Sequence, residues 1–319
     1  MSKLHFINSF ENIFETNQKI ILITEENVWN LYQDKINTYV PIEKRILVIL
    51  PSGEQAKTFE TYQKATEEIL NQNIHRNMKI FALGGGALSD SAGFVAATLL
   101  RGLKWDIIPT TLLSMIDASI GGKVAINSHH GKNLIGAFHP PENIYIDYSF
   151  LQTLPKMEKE NAKGEILKYA FLSKEIYEAV LANISEKELI KMCAEYKMKI
   201  TAKDPHDIAE RQFLNFGHTL GHALEKAYHL PHGEAVRRGI HFALKIDGHS
   251  LQEDLKKLEE KLKLKGLTPL SISAQALRPY LDKDKKNTEE KVTKMVLLKS
   301  IGIPYLKGID VTESISLYL

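Results

Sequence analysis

The hydrophobic positions of this 319-residue chain change rhythm near its middle. In the first half, short runs rich in isoleucine, leucine and valine recur at 19–24, 45–50, 79–83 and 106–109. Runs of that length bounded by polar residues predict buried strands. The intervening segment 58–71 (TFETYQKATEEILN) spaces its apolar residues at the helical period and joins two of those strands as a crossover helix. Repetition of strand and helix predicts an open α/β sheet of parallel units. After about residue 150 the period becomes helical, through 156–181, 185–202, 211–228, 233–246 and 255–265, with few strand-like runs. Ser185 followed by Glu188 reads as a capping box opening one of these helices, and Gly266 reads as the stop of another. The expected architecture is an α/β domain over 1–150 and a mostly α-helical domain over 151–319. No repeat or low-complexity linker separates them.

Composition removes several function classes. With 44% apolar and 25% charged residues the chain has ample material for a core, which excludes disordered and fibrous classes. Basic and acidic residues number 41 and 39, and the lysines form no tail or aromatic-interleaved patch, so nucleic acid is not expected as a partner. One cysteine, Cys193, admits no internal disulfide, and the opening residues MSKLHFINSFENIF lack the apolar core of a secretory signal. A reducing cytoplasm is expected. The apolar run 94–100 is far shorter than the roughly 20 residues that cross a bilayer, so no membrane span is expected.

Candidate chemistry is densest between residues 84 and 133. The triplet Gly84, Gly85 and Gly86 follows the strand IFAL and precedes the helix-compatible SDSAGFVAATLL. Backbone N–H groups and a helix dipole would then face an anion, such as a dinucleotide pyrophosphate. The spacing is not G-x-G-x-x-G, and a bare triplet also serves as a tight turn with no ligand. Upstream, Glu54 and Lys57 sit just after another strand, where open α/β sheets place ligand loops. Asp90, Thr110, Thr111, Asp117, Lys123, Lys132 and Asn133 add carboxylates, hydroxyls and cations to the same stretch.

In the helical half, Glu165, His218, His222 and His232 offer oxygen and imidazole ligands suited to zinc or a similar divalent ion. His218 and His222 are four apart on one helix face, a spacing at which two imidazoles can share a metal. Either is equally a hydrogen-bonded core residue or an anion contact. Lys168, three residues after Glu165, shares that carboxylate's face. Lys197, Arg211 and the pair Lys285 and Lys286 are further cations, each of a kind that usually lies on a solvated surface.

Ordered blocks extend these observations into a resemblance that covers most of the chain: PSGE at 51–54, GGGALSDSAGF at 84–94, RG at 101–102, PTTLLSMIDASIGGK at 109–123, GKNLIGAFHPP at 131–141, GEILKYA at 164–170, LNFGHTLGHA at 214–223 and HGEAV at 232–236. In order and spacing they resemble 3-dehydroquinate synthase, of the sugar phosphate cyclases. The resemblance implies a Rossmann-like NAD-binding domain, a helical metal-binding domain and an active site in the cleft between them. It implies Glu165, His218 and His232 as ligands of Zn2+, with Co2+ as a substitute. NAD contacts would fall on Glu54, Lys57, Gly84, Gly85, Gly86, Asp90, Thr110, Thr111, Asp117, Lys123 and Lys132. Substrate contacts would fall on Asp117, Lys123, Asn133, Lys168, Lys197, Arg211, Asn215, His222 and Lys285 or its neighbour, with Arg101 reaching the other subunit of a homodimer.

The implied reaction converts 3-deoxy-D-arabino-heptulosonate 7-phosphate to 3-dehydroquinate and phosphate, in the shikimate route to aromatic amino acids. Transient oxidation would acidify a neighbouring C–H, phosphate would leave by elimination, hydride would return, and an aldol closure would form the ring. Three departures from the family pattern stand out: Arg237 and Arg238 replace small apolar residues, Gly164 replaces a common alanine, and Ala209-Glu210 stands where a glycine usually precedes Arg211. The first is expected to affect packing or mark a different surface. The alternatives are a sugar phosphate cyclase with another substrate and a metal-dependent polyol dehydrogenase of the same fold.

Overall fold

The computed structural model describes residues 2–14, 18–246, 251–281 and 293–310, so Lys285 and Lys286 lie outside the described residues. Two compact units emerge: Met1–Pro155 with Lys197–His206, and Lys156–Tyr196 with Asp207–Leu319.

The first unit contains β1 (Lys3–Ile7), β2 (Ile20–Glu25), α1 (Glu26–Tyr39), β3 (Arg45–Leu50), α2 (Phe59–Leu70), β4 (Lys79–Gly84), α3 (Gly86–Thr98), β5 (Lys104–Pro109), β6 (Lys123–Ser128), β7 (Gly131–Phe138) and β8 (Asn143–Asp147). Among the described residues, six strands form one parallel sheet in the order β1-β8-β5-β4-β2-β3. Every residue of β2 is buried, as expected of a central strand covered on both faces. The chain runs from β2 to β3 on one side and then returns to β4 on the other. That reversal makes a topological switch point at the carboxyl ends of β2 and β4, where open α/β sheets hold ligands. The crossover helix α2 starts at Thr58, whose hydroxyl accepts from the Thr61 N–H at 3.1 Å. β6 and β7 make an antiparallel hairpin, which the periodicity did not announce because its outer strand is largely exposed and glycine-containing.

The second unit contains α4 (Lys156–Leu172), α5 (Lys174–Leu181), α6 (Glu186–Lys203, whose last turns from Lys197 belong to the first unit), α7 (His218–Tyr228), α8 (His232–Ile246), α9 (Gln252–Lys261), α10 (Ala274–Leu281) and an antiparallel pair, β9 (Thr293–Ser300) and β10 (Ile303–Ile309). The capping box forms: the Ser185 hydroxyl accepts from the Glu188 N–H at 3.3 Å, and the Glu188 carboxylate accepts from the Ser185 N–H at 3.2 Å. Three expected boundaries move. The run 156–181 is two helices, because Ser173 adopts extended backbone and caps α5 through the Ile176 N–H. The run 211–228 begins as a short 3-10 helix, Glu210–Asn215, and re-forms as α7 only after Gly217 turns through φ 77°. The lysine-rich helix α9 ends at Lys261, with Lys263 in the left-handed region; Gly266 is not its stop. Among the described residues no helix is long and apolar enough to cross a membrane.

Two departures acquire a physical reason. A Cβ on Gly164 would collide with the Gly233 backbone, and one on Gly233 would collide with the Asn161 carbonyl, so α4 and α8 meet backbone to backbone. The Asn161 side chain accepts from the Gly233 N–H at this contact. Gly164→Ala is expected to cost about 1–3 kcal/mol of stability by overpacking, readable from denaturant midpoints.

Arg237 is buried rather than displayed. Its Nε lies 2.6 Å from Glu259 Oε1 and its Nη1 donates to the Lys265 carbonyl at 2.6 Å, clamping α8 to α9 and the turn beyond. Arg238 likewise pairs within the unit, with Glu234 at 2.7 Å and the Thr268 carbonyl at 2.8 Å. Burial raises the Glu259 carboxyl, but hydrogen bonds from His241 and Arg237 outweigh it and hold the pKa below 4.5. A depressed carboxyl stabilises the fold above its unfolded pKa, and that contribution disappears as pH falls through the folded value. Arg237→Ala is therefore expected to lose about 3 kcal/mol at neutral pH. The gap to the parent should narrow in urea unfolding performed below pH 4.5.

Candidate functional site

In the first unit, the glycine triplet lies where strand becomes helix: Gly84 ends β4, Gly85 caps α3 and Gly86 is its first residue. A Cβ on Gly84 would collide with Leu88, while one on Gly86 would sit 3.0 Å from Ala118 and one on Gly85 3.1 Å from Thr111, tight enough that the neighbour must shift. The Gly85 N–H donates to Glu25 Oε1 at 2.8 Å, and the Gly53 N–H reaches the other oxygen of the same carboxylate at 3.4 Å. Glu25, at the end of β2 and 5% exposed, thus ties the loop after β3 to the loop after β4 across the switch point. Sequence reading missed it, because an acidic residue between a strand and a helix looks like an ordinary helix start. Its signal was position alone, at the carboxyl end of a central strand.

Beside these loops, Lys57 is buried and donates to both the Asp90 carboxylate and the Asn133 side-chain oxygen. Burial raises the Asp90 carboxyl, and Lys57 opposes that rise. Asn127 donates to Glu54 at 2.8 Å and accepts from the Asn133 N–H at 3.0 Å, while Lys132 stands 3.8 Å from Glu54. Glu54, Lys57, Asp90, Lys132 and Asn133 are thereby brought together by the hairpin β6–β7, with Asn133 at φ 58°. Thr110 donates its N–H to the Gly84 carbonyl at 3.0 Å, and the Thr111 hydroxyl accepts from the Ser114 N–H at 3.1 Å. These bonds start the single π-helical turn Ser114–Ala118 that presents Asp117. Lys197 Nζ lies 2.8 Å from Asp117 Oδ2 and also donates to its carbonyl. Lys123 is exposed at the start of β6, and Arg101 is exposed at φ 66°.

In the second unit, α4 points Glu165 inward until it is wholly buried. Its Oε1 lies 3.1 Å from His218 Nε2 and 2.9 Å from His232 Nε2, and Oε2 pairs with buried Lys168. His218 opens α7 and His232 opens α8, so two helix starts deliver the two imidazoles. One ligand atom from each of Glu165, His218 and His232 falls within 4.8 Å of the others. His222, one turn along α7, is not among those grouped ligand atoms, although its ring lies 5.1 Å from that of His218 and 6.2 Å from that of His232. Both imidazoles are anchored from behind: His218 Nδ1 lies 3.1 Å from the Phe216 carbonyl, and His232 Nδ1 lies 3.0 Å from Glu225 Oε2. Arg211 is buried in the 3-10 helix, and Asn215, at its end, donates to the Gln212 carbonyl at 2.9 Å.

The electrostatics of the trio fit a divalent cation. Burial alone would raise the Glu165 carboxyl, but Lys168 and then His218 hold it well below 4.5. Burial lowers His218, favouring the neutral imidazole that a metal needs. Burial also works against the charge on His232, yet Glu165 and Glu225 outweigh it and push its pKa up to about 10. A cation meeting Nε2 would replace that proton between the same carboxylates. One carboxylate oxygen and two imidazole nitrogens are the donor types of a three-ligand catalytic zinc set, in which a fourth position stays open.

Both halves of the chain match models of one family: 3-dehydroquinate synthase N-terminal over residues 47–161 and 3-dehydroquinate synthase C-terminal over residues 162–287. The chain belongs to the 3-dehydroquinate synthase family. A 3-dehydroquinate synthase of Staphylococcus epidermidis is 36% identical over 328 residues, covering 97% of this chain and 91% of the relative. One from Staphylococcus aureus is 38% identical over 317 residues, covering 94% and 88%. The fold matches the solved 2-epi-5-epi-valiolone synthase of Streptomyces hygroscopicus subsp. jinggangensis, which has NAD+ and Zn2+ bound, with a TM-score of 0.88 at 22% identity over 99% of this chain and 95% of that one. Glu225 is a second residue that sequence reading overlooked. Its signal was its place on the α7 face: His218, His222 and Glu225 stand at i, i+4 and i+7.

Proposed function

We propose that this chain is a 3-dehydroquinate synthase, converting 3-deoxy-D-arabino-heptulosonate 7-phosphate to 3-dehydroquinate and phosphate with NAD and a divalent metal, zinc or cobalt. The observation that supports it most is the buried Glu165 carboxylate met by His218 and His232 in a chain whose two halves both match this family. Glu165, His218 and His232 hold the metal; Gly84, Gly85 and Gly86 with Glu54, Lys57, Asp90, Thr110, Thr111, Asp117 and Lys132 hold NAD. Bound together, the two groups supply Lewis-acid activation of a substrate hydroxyl and its reversible oxidation.

The remaining assignments concern charges on a phosphorylated sugar acid. Lys123, Asn133 and His222 bind the departing phosphate, joined by Lys285 or Lys286. Lys197, Arg211 and Asn215 bind the carboxylate end. Charge-assisted hydrogen bonds of this kind position the substrate and stabilise the charge that develops as the C–O bond breaks. Lys168 keeps Glu165 ionised, and its ion pair is supported by the burial of both groups. We further assign the protein to the cytoplasm as a homodimer in which Arg101, exposed beside Gly102, reaches the partner's site.

A cyclase returns its hydride within each turnover, whereas a polyol dehydrogenase releases NADH. Absorbance of NADH during incubation with NAD+ and a simple polyol should stay flat. Steady accumulation would assign the chain to the dehydrogenase chemistry instead.

A further inference from the structure

We propose that Glu225 is a positioning residue of the metal centre, fixing the His232 imidazole so that Nε2 faces Glu165. The inference rests on the metal reading of the trio given above. The two histidines are anchored differently. His218 donates from Nδ1 to a backbone carbonyl two residues earlier, Phe216, at 3.1 Å, so the chain's own turn orients that ring. His232 stands at the first position of α8, and its Nδ1 lies 3.0 Å from a carboxylate oxygen of Glu225, seven residues earlier on α7. Glu225 belongs to the α7 face that also bears His218, so one helix supplies a ligand of the trio and the anchor of another. An acceptor at Nδ1 fixes the proton there and leaves the Nε2 lone pair for a cation. A carboxylate acceptor also makes the imidazole a stronger donor than an amide carbonyl would, and outer partners of this kind commonly alter metal affinity about 10- to 100-fold.

The test uses the full-length protein, stripped of metal and titrated with Zn2+ against a chromophoric chelator, as parent, Glu225→Gln and Glu225→Ala. Glutamine keeps an acceptor oxygen without the charge; alanine removes both. The expected order of affinity is parent, then Glu225→Gln, then Glu225→Ala, with the alanine variant weaker by about 10- to 100-fold. NAD+ affinity, read by intrinsic fluorescence, should stay at the parent value in both, which a general loss of structure would not allow. The Co2+ form of Glu225→Gln should show shifted visible bands, because an amide acceptor polarises the imidazole less than the carboxylate does. If the alanine variant does not fold, the near-isosteric glutamine variant decides alone. Equal zinc affinities with unchanged cobalt spectra in parent and Glu225→Gln would overturn the inference. Failure of the parent itself to bind Zn2+ would instead overturn the metal reading on which it rests.

Discussion

His218→Ala will leave the purified protein without tightly bound metal. Removing one imidazole leaves a buried carboxylate and a single histidine, fewer than the three protein ligands that hold a catalytic zinc. Glu165 will remain paired with Lys168 and with His232, so the interior stays electrically compensated and the fold should survive. Elemental analysis after dialysis should find close to one metal per chain in the parent and only a trace in the variant. Turnover should fall by about a thousandfold or more, since Lewis-acid stabilisation amounts to several kcal/mol and each 1.36 kcal/mol is tenfold in rate. Full occupancy in the variant would mean that the ligand set is wrong. His222 is the residue that would then have to be a ligand.

The second large effect is expected from Lys123→Ala. Lys123 is exposed at the first position of β6, so truncating it disturbs no core. If its ammonium binds the leaving phosphate, the interaction strengthens as charge builds on the departing oxygen, and its loss appears in kcat. A fall of about 10²–10³ in turnover is expected by comparison with the loss of one preorganised donor. Metal content should match the parent. The complementary variant His222→Ala is less clean, because that ring packs edge-on to His218 and its removal disturbs a proposed ligand as well. Parent-like turnover in Lys123→Ala would remove this residue from the phosphate site.

Four of the six parallel strands were legible because they appear as unbroken apolar runs, as at the buried β2 and β4, whereas the partly exposed β1 and the short β8 were not. The hairpin β6–β7 was not, since Gly131–Phe138 is mostly exposed and offers no apolar face to read. Breaks inside helical runs were also hidden. The helical period continues across Ser173 and Gly217 although the backbone does not, because a local cap and a left-handed turn interrupt the chain without altering which residues are apolar.

The same distinction holds for the candidate site. The glycine triplet could be found from its place between a strand and a helix, but Glu25 could not, since what makes it special is a contact 60 residues away with the Gly85 N–H. Spacing showed that His218 and His222 share a helix face. Which of them meets Glu165 depends on where α4 and α8 pass, and the 3.1 Å and 2.9 Å approaches of His218 and His232 are tertiary facts. The departures behaved alike: Gly164 and Arg237 looked anomalous in sequence, yet they set a close helix contact and a buried clamp.

The most direct measurement incubates the zinc-loaded protein with 3-deoxy-D-arabino-heptulosonate 7-phosphate and substoichiometric NAD+, following phosphate and 3-dehydroquinate together. Equal amounts of the two products, far exceeding the NAD+ supplied and with no net NADH, are predicted. Phosphate release without dehydroquinate, or NADH formed in step with substrate loss, would contradict the assignment.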